Sequence, residues 1–92
     1  MNISLEPVTV PENWTLLNQL EKVREESSEV LEAMVDDDPQ HVIYELWDTI
    51  QASVTMLDMF ERQGWDIRKQ LKLMKRNNKL LGRYAEKIGD SA

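Results

Sequence analysis

Apolar positions recur at helical spacing in three separate stretches of this chain. Leu16, Leu20, Val23, Ser27, Val30 and Met34 follow one another at steps of three and four. That is a narrow stripe on one side of a helix. It predicts a first helix from about Glu12 to about Val35, opened by the capping box Thr9-Val10-Pro11-Glu12. A wider arc follows: Val42, Ile43, Leu46, Ile50, Val54, Leu57 and Phe60, with Ala52 and Met56 on one flank. It predicts a second helix from about Pro39 to Gln63, stopped by Gly64. The breadth of this arc implies contact on more than one side. Ile67, Leu71, Met74, Leu80, Leu81, Tyr84 and Ile88 mark a third helix, from about Ile67 to Ile88, with Asp66 as its N-cap. Asp36-Asp37-Asp38-Pro39 and Gly64-Trp65-Asp66 are the turns between them. Pro7, Pro11 and the β-branched run Val8-Thr9-Val10 make residues 1–10 an extended arm. The expected fold is all-α: one helical domain over residues 11–92, its three main helices antiparallel in a bundle.

Size and charge narrow the picture. Ninety-two residues lie close to the lower limit for a self-sufficient core. Homo-oligomerisation is therefore an expected way to complete the bundle. The formal net charge of -6 argues against a nucleic-acid partner, which would need a basic surface. The absence of cysteine excludes disulfides and thiolate metal sites. No charged-then-apolar leader and no long apolar run is present, so neither a membrane partner nor export is expected and the location implied is cytoplasmic.

The acidic residues are not spread evenly. Glu25-Glu26-Ser27-Ser28-Glu29 is followed after fifteen residues by Glu45-Leu46-Trp47-Asp48. Carboxylates three apart on a helix project from the same side, which pairs Glu26 with Glu29 and Glu45 with Asp48. Glu26 and Asp48 are equally far from Asp37 in sequence, and so are Glu29 and Glu45. A hairpin bent at Asp37 brings all four to one height. Such a group repels itself unless a cation lies between, and hard ions such as Mg2+ or Mn2+ take oxygen ligands of this kind. A solvated acidic face would account for Glu21, Glu25 and Glu32. It does not account for Glu45, which the helical wheel sets between Ala52 and Met56.

The third helix carries the opposite charge: Lys69, Lys72, Lys75, Arg76, Lys79, Arg83 and Lys87. Taken alone, these cations balance the first helix and suit a helix C-terminus. Beside a divalent site, they suit a polyphosphate bridging metal and cations. His41, the one histidine, reads as a first-turn surface residue. Ser27 and Ser28 have no histidine at hand and there is no cysteine, so nucleophilic catalysis has no support. Trp14, Trp47 and Trp65 read as core or interface, though one of them could stack on a base.

These segments resemble the MazG-like, all-α nucleoside triphosphate pyrophosphohydrolase superfamily, and in particular its short single-domain bacterial and phage-type members. The family signature E-E-x-x-E, spacer, E-x-x-D is matched by Glu25, Glu26, Glu29, Glu45 and Asp48. A second stretch, N-x-K-x-x-x-R-[F/Y], is matched by Asn77, Lys79, Arg83 and Tyr84. Trp47 stands where many members have glycine. The resemblance implies Mg2+, or Mn2+, held by Glu26, Glu29, Glu45 and Asp48. It implies catalytic assistance from Glu25 or Glu29, and a triphosphate held by Asn77, Lys79 and Arg83. The implied reaction cleaves a nucleoside triphosphate between α- and β-phosphates, releasing the monophosphate and pyrophosphate, and the implied assembly is a homodimer or homotetramer of paired hairpins. Two rivals stand beside it: a relative acting on phosphoribosyl-ATP, and a non-catalytic helical dimerisation module whose carboxylates pair with the cations of the third helix.

Overall fold

The computed structural model describes residues 2–85. It is all-helical, with α1 (Leu16–Val35), α2 (Pro39–Arg62) and α3 (Ile67–Leu80), and no strand among the described residues. The local chemistry explains most of the boundaries. Asp38 accepts hydrogen bonds from the backbone N–H groups of Gln40 and His41, and Pro39 occupies the first turn of α2. Asp37 takes φ 54°, the left-handed step that reverses the chain between α1 and α2. Gly64 closes α2 at φ 92°, and Asp66 caps α3 through the Lys69 N–H.

Two boundaries differ from expectation. The helix α1 starts at Leu16, not near Glu12, because the stronger capping box is Thr15 with Asn18. The Asn18 N–H donates to Thr15 Oγ1 at 3.0 Å and the Thr15 N–H donates to Asn18 Oδ1 at 3.0 Å. The helix α3 ends at Leu80, not Ile88, because Gly82 turns left-handed at φ 64°. The Arg83 N–H then folds back to the Asn78 carbonyl at 2.9 Å. Arg83 and Tyr84 therefore follow the helix instead of riding on it. Ile88 and Lys87 lie outside the described residues.

Helices α1 and α2 pack as an antiparallel hairpin, whereas α3 meets α2 sparsely and does not pack on α1. The radius of gyration is 16.1 Å, against about 12 Å for a compact domain of this length. The hairpin seam also departs from the apolar stripe. On α1 the buried residues are Gln19, Glu26 and Ala33, each one position before Leu20, Ser27 and Met34 of the stripe. One residue is about 100° of helical rotation. On α2 the buried residues are Glu45, Ala52 and Thr55. The seam thus holds small and polar side chains. Leu20, Met34, Ile43, Leu46, Ile50 and Leu57 are exposed.

The arm is tied down at two points. The Val8 N–H donates to Thr55 Oγ1 at 3.1 Å, and Gln51 Nε2 donates to the Glu6 carbonyl at 2.7 Å. Thr55 is almost wholly buried beneath it, and its own hydroxyl donates a hydrogen bond to the Gln51 carbonyl.

Candidate metal and substrate site

Glu26 comes from the middle of α1 and Glu45 from the second turn of α2, and the turn at Asp37 sets them side by side. Both are 8 % exposed. With Glu29 they form a group whose ligand oxygens all lie within 4.8 Å of one another. Two of these atoms, Glu26 Oε2 and Glu45 Oε2, are buried with no hydrogen-bond partner. A buried carboxylate oxygen without a partner is costly. The cost is tolerated where something outside the chain supplies the missing contact, and an oxygen-only donor set suits a hard divalent cation. The donor set therefore fits the metal that the sequence implied.

The electrostatics carry the same strain. Glu29 is pushed up to about 7, first by hydrogen bonding with the Glu45 carboxylate and then by the charge of Glu26. Asp48 is raised too, first by desolvation and then by the charges of Glu26 and Glu45. Asp48 is thus close enough to feel the cluster, although it stands outside the tight group of three.

Two flanking residues stand against the cluster that the motif did not include. Lys22 Nζ lies 2.9 Å from Glu26 Oε1, and this pairing raises the lysine. His41 Nε2 lies 3.1 Å from Glu45 Oε1. His41 is exposed, as its place in the first turn of α2 suggested, yet it also partners a buried carboxylate. The i,i+4 spacing of Lys22 to Glu26 and of His41 to Glu45 was the available signal. Glu25 points outward, its side chain 62 % exposed and 3.9 Å from Lys22 Nζ.

The other expected residues are elsewhere. Asn77 and Lys79 sit exposed on α3, and Arg83 sits exposed just past it. Arg83 Nη1 reaches Asn78 Oδ1 at 3.4 Å. Since α3 does not pack on α1, this group does not join the carboxylates within one chain.

No helix among the described residues is long and apolar enough to cross a membrane. No curated protein and no solved structure matches the chain. The family model of phosphoribosyl-ATP pyrophosphohydrolase matches residues 3–78, which is most of its length. The chain belongs to this family of pyrophosphohydrolases, itself part of the MazG-like all-α nucleoside triphosphate pyrophosphohydrolase superfamily.

Proposed function

We propose that the protein is a Mg2+-dependent pyrophosphohydrolase that cleaves a nucleoside triphosphate between its α- and β-phosphates, giving the monophosphate and pyrophosphate. The observation that carries this is the pair of buried, partnerless oxygens of Glu26 and Glu45 within a three-carboxylate group. Glu26, Glu29, Glu45 and Asp48 would hold the ion, with Mn2+ able to take its place. When bound, the ion neutralises phosphate charge and makes water easier to deprotonate. Glu29, half-buried at the edge of the carboxylate group, is suited to orient a water and take its proton. Glu25 is the alternative base, at the exposed rim.

Asn77, Lys79 and Arg83 would bind the triphosphate and stabilise the departing pyrophosphate. Their distance from the carboxylates within one chain is met by a second copy. The exposed apolar outside of the hairpin, with Leu20, Ile50 and Leu57, is the surface that a homodimer or homotetramer would cover. A cytoplasmic, short bacterial or phage-type enzyme is the reading consistent with these features.

A second reading is favoured by the family match itself: phosphoribosyl-ATP as substrate. Its triphosphate is cleaved in the same way, so the same residues serve both. The test is a product assay on ribo- and deoxyribonucleoside triphosphates and phosphoribosyl-ATP with Mg2+ or Mn2+. Glu29→Ala and Asp48→Ala run in parallel. Pyrophosphate release that is lost in both variants supports the proposal, and the preferred substrate separates the two readings. Release of orthophosphate and diphosphate overturns the bond assignment. No turnover, together with no thermal stabilisation by the metals, returns the carboxylates to a dimerisation module.

A further inference from the structure

The arm that precedes α1 does more than cover α2. It forms one wall of a cleft of about 420 Å³, within the span of small-molecule sites, roughly 300–1,000 Å³. Val8, Val10 and Pro11 line the arm side, and Ala52 belongs to the floor on α2. The other end of the cleft reaches Glu26 and Asp48, so it opens onto the carboxylate site. Trp14 also lines the cleft and is half-buried.

The indole of Trp14 is held by a two-step relay. Trp14 Nε1 donates to Gln19 Oε1 at 2.8 Å, and Gln19 Nε2 donates to the Ala52 carbonyl at 2.9 Å. Gln19 is only 3 % exposed. A buried amide spent on orienting an aromatic ring is an expensive feature for a tail that merely packs. The arm itself is pinned by Thr55 and Gln51, as described above. Gln51 also lines the cleft, and its amide has one N–H committed to the Glu6 carbonyl. The remaining N–H and the carbonyl oxygen can meet the edge of a ligand.

Charge decides what kind of ligand fits. Lys22 lines the cleft, but it is paired with Glu26 at the carboxylate end. The arm end offers apolar walls, an aromatic ring and a neutral amide. That end repays a flat, neutral, heteroaromatic group and not a phosphate.

We infer that the cleft between the N-terminal arm and α2 is the base pocket of the substrate, with Trp14 as the stacking platform and Gln51 as the reader of the base edge. This rests on the pyrophosphohydrolase reading, which puts the phosphates of the same molecule at Glu26, Glu29, Glu45 and Asp48. Base preference is then set by the arm, a segment with no helical structure and none of the motif residues. Trp14 acts as a specificity-determining residue, and Gln19 as the residue that positions it.

The test separates base from phosphate. The probes are the nucleotide turned over fastest in the product assay and inorganic tripolyphosphate, which has no base, as a competitive inhibitor. Trp14→Ala should raise KM by about tenfold or more, the scale of a lost base–aromatic stack. The kcat should hold, inhibition by tripolyphosphate should stay as in the native chain, and Trp14→Phe should recover most of KM. Equal weakening toward nucleotide and tripolyphosphate would make Trp14 a structural residue and overturn the inference, as would an unchanged KM. Should the native chain turn over no nucleotide, the activity reading fails but the pocket remains testable. Nucleoside monophosphates should then quench tryptophan fluorescence in the native chain and not in Trp14→Phe, and no quenching by any of them overturns the pocket as well.

Discussion

Gln19, Glu26, Glu45 and Thr55 lie in the seam between α1 and α2, while Leu20, Met34, Ile43, Ile50 and Leu57 lie on the outside of the same two helices. A self-sufficient domain of this size would place them the other way round. The fully buried hydrophobic side chains of the described residues are two alanines, Ala33 and Ala52. Under the proposed function the seam would be the site and the exposed outside the face of an oligomer. Small residues at Ala33 and Ala52 let the helices approach closely, which brings the carboxylates of Glu26 and Glu45 together. The larger apolar side chains stay exposed on the outside of the hairpin.

The contrast predicts opposite responses to substitution on the two faces. The largest effect falls on the inner face. Glu45→Gln should lower pyrophosphate release by about a hundredfold or more, since it removes a ligand charge from the metal site. The same variant, free of metal, should melt at a higher temperature than the native chain, because one of the crowded negative charges is gone. Calorimetry with and without Mn2+ reads both: the variant should lose the metal-induced rise that the native chain shows. A metal-free melting temperature well below native would mean that Glu45 is a structural partner of His41 and not a ligand.

On the outer face, Ile50→Asp should dissociate the oligomer and leave the hairpin folded. A charge at a buried interface costs enough to raise the dissociation constant by about a hundredfold. Sedimentation velocity would show the shift, and circular dichroism would show the retained helices. A native chain that sediments as a monomer would remove the premise.

The smallest effect is in pH. Glu29, pushed up to about 7 from 4.5, binds a proton in the folded chain over a range where the unfolded chain does not. That contribution to stability is full below the ordinary value and is lost as pH rises through about 7. Asp48, also raised, acts in the same direction. Metal-free protein should thus be more stable at about pH 5 than at about pH 8. Mn2+ must displace the proton, so its affinity should increase over the same interval, and proton release on binding can be measured by titration in two buffers.

By itself the sequence determined the helices and much of the carboxylate group. Periodicity placed three amphipathic segments, Asp37 and Pro39 marked the reversal, and Asp66 proved to be the cap that its residue type suggested, while Asp38, expected only in the turn, caps α2. Local chemistry suffices there, because capping and turn propensities act over a few residues. The equal sequence distances from Asp37 put Glu26, Glu29, Glu45 and Asp48 at one level; the structure gathers the first three and leaves Asp48 just outside the tight group. Even some local details needed more care: Thr15 outcompeted Thr9 as the first cap, and Gly82 cut α3 short.

What only the tertiary structure decided is which side of each helix faces its neighbour. An apolar stripe states that a helix must bury that side, but not against which partner. Here α1 leaves Leu20 and Met34 of the stripe exposed, keeps Leu16, Val23 and Val30 half-buried, and buries Gln19, Glu26 and Ala33. The relay from Trp14 through Gln19 to the Ala52 carbonyl joins residues more than thirty positions apart, and no periodicity announces it. The separation of α3 from the carboxylates is of the same kind. Sequence spacing sets how far a chain can reach, while packing of the whole surface sets where it goes.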